Sequence, residues 1–234
     1  MSAITDIYPK GQRRVIVLDG PAGSGKGTVA KAIAERFDLA YLDTGALYRA
    51  VGLLALRRGL ESAAELEQAT LQMQFSFQRV APGRFEARLG DEAVTAALRD
   101  ELTGEMASRV AAFPEVRAAL LGFQRRSGAP RSVVMDGRDL GTTVWPDADL
   151  KIFITADPEE RARRRALELQ DKKKTVSFQE VREQMLLRDQ RDSQRKASPL
   201  RPAPDAVVVD NTRMSVQQSI DHVAMLVDRL LTDR

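Results

Sequence analysis

Residues 15–28 read VIVLDGPAGSGKGT. A short apolar run leads straight into a glycine-rich turn, and a helical pattern follows over 26–37. Strand, glycine loop and helix in that order restrict this chain more than any other feature. They call for a buried strand whose carboxyl end opens onto a helix N-terminus. Gly20, Gly23 and Gly25 lack a Cβ, so backbone N–H groups can wrap a phosphate closely. Lys26 would reach the β- and γ-phosphates as a point charge. Gly20, Pro21, Ala22, Gly23, Ser24, Gly25, Lys26, Gly27 and Thr28 thus form a candidate phosphate cradle. One position departs from the usual pattern. The slot after the lysine, normally a magnesium-holding Ser or Thr, is Gly27, and Thr28 comes one later. That weakens a direct hydroxyl ligand to the metal and leaves phosphate binding intact. An ordinary strand-to-helix turn would explain the glycines, but not nine residues in this order and context.

The rest of the chain continues the same architecture. Apolar runs at 15–18, 39–42, 133–135, 152–154 and 207–209 do not alternate, as expected of buried parallel strands. Helical patterns lie between them at 46–57, 98–112, 114–126, 158–169, 178–195 and 215–231. This predicts an α/β fold with a five-stranded parallel sheet wrapped by helices. One part breaks the rhythm. Leu71, Met73, Phe75 and Phe77 alternate with polar residues, and after Pro82-Gly83 so do Phe85, Ala87 and Leu89. A small antiparallel β insert is therefore expected over about 60–97. The core then comprises 13–59, 98–160 and 200–234 of a single domain 13–234, with a loose tail at 1–12.

The 234 residues contain no cysteine, which excludes disulfides, thiolate metal sites and a cysteine nucleophile. The longest apolar run, 50–56, is far too short for a membrane span, and the start has no signal-peptide core. A cytoplasmic protein with no membrane partner is expected. Net charge is only +3, yet residues 161–201 alone carry +7. A basic island on a slightly acidic body suggests a locally handled anion. A nucleic-acid partner is not expected, because aromatic content is 5% and the island has few aromatics for base stacking. Lys172, Lys173 and Lys174 read as a solvated loop, His222 and Trp145 as packing or surface residues. No long exposed apolar stripe asks for a partner, so a monomer is expected.

Two further stretches bear on an acceptor. In LDTGALYR (42–49), Thr44 can donate a hydrogen bond and Arg49 can clamp an anion; Asp43 or Thr44 can equally cap a helix. DGRDLGT (136–142) directly follows a buried strand, where ligands gather in an open parallel sheet. Its Asp-x-Arg-Asp cluster is either a structural ion-pair knot or a phosphate grip by Arg138 beside an acceptor, Asp139, for a base amino group.

Taken together, IVLDGPAGSGKGT, LDTGALYR, MASRVAAFPEVR (106–117), DGRDLGT, RDQRDSQR (188–195) and ASPL (197–200) closely resemble the bacterial cytidylate kinases of the nucleoside monophosphate kinase family. The resemblance covers nearly the whole chain beyond the tail. The S-T-G-D and D-G-F-P-R patterns of adenylate kinases and the Asn-Lys-x-Asp guanine signature are absent. The resemblance implies a P-loop kinase fold and transfer of the ATP γ-phosphoryl group to CMP or dCMP. It implies Mg2+ held mainly by phosphates and water, with Thr28 and Asp136 as candidate partners. By position, Thr44, Arg49 and Arg138 would meet the acceptor phosphate. Thr44 stands where the family often has serine. Ser108, Arg117 and Asp139 would read cytosine, and Arg188, Asp192 and Arg195 would hold the ribose and bridging phosphates. Lys26, Arg138, Arg188 and Arg191 would be catalytic.

Such chemistry needs positioning and charge neutralisation, not a general base. Arg188, Arg191 and Arg195 share a helical face, as do Arg161, Arg164 and Arg165 on the preceding helix. Arg164 and Arg165 are expected at the donor nucleotide. These helices, over about 161–199, are expected to form a helical lid that closes over the transferring group and excludes water.

Overall fold

A computed structural model describes residues 13–81, 84–128, 132–171 and 176–232. The tail at 1–12, the turn at 82–83 and the lysine run at 172–174 lie outside the described residues. Five parallel strands form the central sheet: β1 (Val15–Asp19), β2 (Ala40–Asp43), β6 (Val133–Asp136), β7 (Leu150–Thr155) and β8 (Val207–Asp210), ordered β2-β6-β1-β7-β8. β1 takes the centre because both its faces are apolar. Ile16 and Leu18 pack with α1 (Lys26–Arg36) and α8 (Val216–Thr232) through Val29, Ile33, Val223 and Val227. Val15 and Val17 pack on the opposite face with Leu42, Val133, Met135 and Leu140. All five apolar runs are therefore strands of this sheet, and their carboxyl ends converge on one edge.

A second layer holds α2 (Thr44–Arg58), α3 (Ala63–Leu71), α4 (Glu101–Val110) and α5 (Pro114–Gly128). A separate antiparallel sheet of β3 (Phe75–Ala81), β4 (Arg84–Leu89) and β5 (Glu92–Ala93) packs on it through Phe75 and Ala87. The expected β insert over 60–97 therefore begins with a helix. Ser62 and Glu65 cap α3 reciprocally, and Leu71, counted in the alternation, ends the helix and is 67% exposed. The strand pairing starts only at Phe75. A 3₁₀ turn, Ala97–Arg99, and a π turn, Leu140–Val144, are also beyond the periodicity reading.

The basic segment is a helical hairpin of α6 (Pro158–Asp171) and α7 (Phe178–Ser193). Ala162, Ala166, Leu169, Val181 and Met185 form its own small core, with Ala22 of the glycine loop packed against it.

Candidate active site

The glycine loop joins β1 to α1. A Cβ on Gly20 would stand 2.0 Å from the Ile154 carbonyl oxygen, so only glycine lets the loop leave the sheet here. Ser24 Oγ is buried without a hydrogen-bond partner among the described residues. Lys26 is buried at 6% exposure, and its Nζ donates to the Pro21 carbonyl at 3.1 Å. Burial, reinforced by Arg138 and Arg188, pushes Lys26 down to about 7, against the opposing pull of Asp136 and Asp43. The Lys26 ammonium is thus desolvated beside two guanidinium groups and the Asp136 carboxylate. Phosphate oxygens would add anions to this group, and the unpartnered hydroxyl and the cradle fit a nucleoside triphosphate.

Asp136 ends β6 beside this loop. Its Oδ1 accepts from the Tyr41 hydroxyl at 2.6 Å, and a Cβ on Gly27 would lie 3.4 Å from Oδ2. The glycine in the usual Ser/Thr slot therefore faces a carboxylate. Burial, then the neighbouring Asp43, push Asp136 up to about 6, while Lys26 pulls the other way. Burial and the same two carboxylates keep the Tyr41 phenol protonated. Thr28 is exposed at the start of α1. Thr44 is buried, with its hydroxyl donated to the Asp136 carbonyl at 2.7 Å, so meeting a phosphate would require exchange of that bond. Asp43, not Thr44, caps α2, accepting from the Ala46 N–H at 3.1 Å.

The acceptor-side residues converge from four helices, α2, α4, α5 and α7, and from the loop after β6. Asp192, on α7 and 3% exposed, accepts from Ser108 Oγ of α4 at 3.4 Å. Its other oxygen lies 3.4 Å from Arg138 Nε and 3.9 Å from Arg188 Nε. Arg138 also donates to its neighbour, the Gly137 carbonyl, at 3.1 Å. Arg117 of α5 pairs with Asp139, and its guanidinium sits over the Tyr48 ring at 5.4 Å. Arg49 donates to the Leu98 carbonyl at 2.8 Å, and Arg195 to the Ser198 carbonyl at 2.8 Å. Burial and Arg138 push Arg188 down to about 10, against Asp192, and burial lowers Arg49 and Arg195 as well. All remain cations at neutral pH. The Nε atoms of Arg117, Arg138, Arg188 and Arg195 are buried without hydrogen-bond partners among the described residues. Four neighbouring arginines with unused donors suit an anionic, polar ligand.

The flanking arginines divide. Arg164 donates to Glu160 and to both the side chain and carbonyl of Asn211, at 2.8–3.0 Å. Asn211 in turn donates to the Ser24 carbonyl at 2.9 Å. Arg164 therefore backs the loop from outside. Arg165 pairs with Glu101 and Glu168, near enough to Arg49 and Arg188 to repel both. Arg191 is half-buried with no ion pair or hydrogen bond among the described residues.

Several participants carry no motif signal. Asn211 follows β8, nearly two hundred positions from the loop it holds. Asp19 accepts from the Leu140 and Gly141 N–H groups at 3.0 and 2.8 Å, pinning the π turn after the Asp-Gly-Arg-Asp stretch; burial raises it to about 6. Helical spacing puts Arg161 on a shared face with Arg164 and Arg165, yet of the three it is the one that bonds to the glycine loop directly. Tyr48 is legible only as part of LDTGALYR. Among the described residues no cluster of His, Cys, Asp or Glu could cage a metal, and no helix is long and apolar enough to cross a membrane.

The sequence is similar to known proteins along most of its length. The cytidylate kinase family model matches residues 16–229. A cytidylate kinase of Magnetococcus marinus is 52% identical over 94% of this chain and 98% of its own length. One of Desulfitobacterium hafniense is 46% identical over 90% of this chain and 91% of its own. An uncharacterized protein of Eubacterium ventriosum, 13% identical, shares the fold with a TM-score of 0.53 over 92% of this chain and 99% of its own. A family match across nearly the whole chain, on a fold that brings the same motifs into contact, makes the chain a member of the cytidylate kinase family.

Proposed function

We propose that the protein transfers the γ-phosphoryl group of ATP to CMP or dCMP, releasing ADP and CDP or dCDP. The observation that carries this reading is the set of cations gathered beside the glycine loop with donors left unused. Burial first, and then the nearby Arg138, push both Lys26 and Arg188 down. The Nε atoms of Arg138 and Arg188 have no hydrogen-bond partner among the described residues, and phosphorylated ligands would supply acceptors. In the transfer, an acceptor phosphate oxygen forms a bond to the γ-phosphorus as the bond to the ADP oxygen breaks. The attacking oxygen is already anionic at neutral pH, so no general base is required. His222, on α8, lines a groove with Asp157, Asp210 and Met225 and is given no part.

In this reading Gly20 through Thr28 cradle the donor phosphates and Lys26 bridges the β- and γ-groups. Arg138 and Arg49 orient the acceptor phosphate. Arg188 and Arg191 neutralise charge on the transferring group. Ser108 and the Arg117–Asp139 pair face the base. Asp192 aims Arg138 and Arg188, and Arg195 lies toward the ribose side. Mg2+ would be held by the phosphates and water, with Thr28 and the Asp136 carboxylate as its nearest protein partners. The α6–α7 hairpin would act as the lid. A cytoplasmic location is in keeping with a chain free of cysteine.

The test is a coupled ADP-release assay with Mg-ATP and CMP, dCMP, UMP, AMP, GMP or dTMP, with diphosphate products identified. Rapid turnover of CMP and dCMP is expected. Turnover of another monophosphate alone would overturn the base assignment, and no turnover at all would overturn the activity.

A further inference from the structure

Arg161 lies on α6 at 5% exposure, and its guanidinium touches three elements. Nε donates to the Ala156 carbonyl beyond β7 at 3.0 Å. Nη1 donates to the Ala22 carbonyl of the glycine loop at 3.1 Å and to Asp189 Oδ2 of α7 at 2.6 Å. Only a planar fork reaches three such partners at once; a lysine ammonium would not. The other oxygen of Asp189 is buried and has no hydrogen-bond partner among the described residues, so Arg161 is the group that holds this carboxylate.

One turn earlier on α7, Met185 rests on the loop itself. A Cβ on Gly23 would stand 2.8 Å from its Cε. One turn later, Asp192 engages Ser108 and Arg138 on the acceptor side. Positions 185, 189 and 192 are spaced by four and three, so they lie on one helical face. Met185 and Asp192 are separated by about 10 Å along the axis. A single stretch of α7 is therefore fastened to the phosphate loop at one end and to the acceptor-side charges at the other. A helix is stiff over two turns, so a shift of the loop is passed along it.

We infer that Arg161 and Asp189 are positioning residues that key α7 to the phosphate loop, so that nucleotide in the loop sets the register of Arg188 and Asp192 at the acceptor side. The inference rests on the phosphoryl-transfer reading above. Neither residue need touch a reacting atom. Their effect is transmitted through the helix that carries the residues that do.

The experiment is hydrogen–deuterium exchange on the whole chain, wild type and Asp189→Asn, with and without Mg2+ and a non-hydrolysable ATP analogue. In the wild type the analogue is expected to slow exchange across Phe178–Ser193 by at least about threefold. In Asp189→Asn that slowing is lost, while the analogue's Kd changes by less than about threefold. With CMP as acceptor, kcat of the variant falls about tenfold with the KM for ATP within about twofold of wild type, and Asp189→Glu recovers part of the loss. Equal slowing in the variant, no slowing in the wild type, or an unchanged kcat would overturn the inference. If circular dichroism shows Asp189→Asn unfolded, Arg161→Lys is judged by the same outcomes. The exchange arm uses no acceptor. Absence of CMP turnover in the wild type would therefore overturn the functional reading, while the exchange result still decides the coupling.

Discussion

Arg138 and Asp192, fifty-four positions apart, meet with 3.4 Å between Nε and Oδ2 at the junction of the β6 loop and α7. Neither is satisfied by the other alone: Arg138 Nε lacks an aligned acceptor, and Asp192 also serves Ser108 and Arg188. The pair is loosely made, between a buried carboxylate and a half-buried guanidinium, as suits an arginine that has a second anion to receive. Arg138→Lys keeps the charge and loses the fork. The KM for CMP should rise by about tenfold or more, with the KM for ATP little changed. Initial-rate kinetics with each substrate varied would decide it, and an unchanged KM for CMP would make Arg138 a structural partner only.

Arg188 is the most compressed of the arginines, held down to about 10 by burial and Arg138. In the proposed transfer it meets charge that develops on the moving group. Arg188→Ala should lower kcat by roughly 10²–10³-fold while ATP affinity stays near wild type. Single-turnover rates and calorimetric titration with ATP separate the two effects. Loss of ATP binding with an intact turnover rate would remove Arg188 from the chemistry.

Lys26 has a folded-state value lowered to about 7, mainly by burial. The empty protein therefore carries it largely neutral at pH 8 and charged at pH 6. ATP phosphates favour the charged form, so binding at pH 8 should take up close to one proton through this group, and little at pH 6. Titrations in buffers of different ionisation enthalpy measure that number. Lys26→Arg, permanently charged, should abolish the uptake at pH 8. Persistence of the full uptake in that variant would assign it to another group.

Asp19 is raised to about 6 by burial, although two backbone N–H groups oppose the shift. A carboxyl with a raised folded-state value favours folding below its ordinary value of 3.8, and that contribution is lost as pH rises through about 6. Asp19→Asn should therefore cost more at pH 4.5 than at pH 7.5, by about 2 kcal/mol. Denaturant unfolding at the two pH values provides the difference. A cost that is equal at both would show that Asp19 titrates as an ordinary carboxyl.

Asn211 joins the loop carbonyl of Ser24 to Arg164. Asn211→Ala leaves that carbonyl without this donor and the half-buried Arg164 guanidinium with one acceptor fewer, at a cost of about 1–3 kcal/mol. The KM for ATP should rise more than the KM for CMP. Thermal unfolding together with kinetics tests this, and equal changes in both KM values would count against a role at the donor loop.

The sequence by itself determined the sheet and the chemistry of its edge. Five non-alternating apolar runs fit a parallel sheet between helices, and they are its five strands, although β8 at the sheet edge is not buried as expected and leaves Val207 and Val208 exposed. The glycine loop was legible because backbone approach to a phosphate demands residues without Cβ in a fixed order. The Ser62–Glu65 capping box was also written in the sequence, and the apolar alternation beginning at Leu71 obscured it. Tertiary structure alone decided which charges meet. Asp192 with Arg138, Asn211 with the loop, Asp19 with the π turn and Arg161 with Ala22 are contacts across dozens to nearly two hundred positions. Periodicity and local motifs describe how a segment lies against its immediate neighbours along the chain. The partner of a buried charge is set by which strand ends and helix faces converge, and that is fixed only when the sheet is assembled.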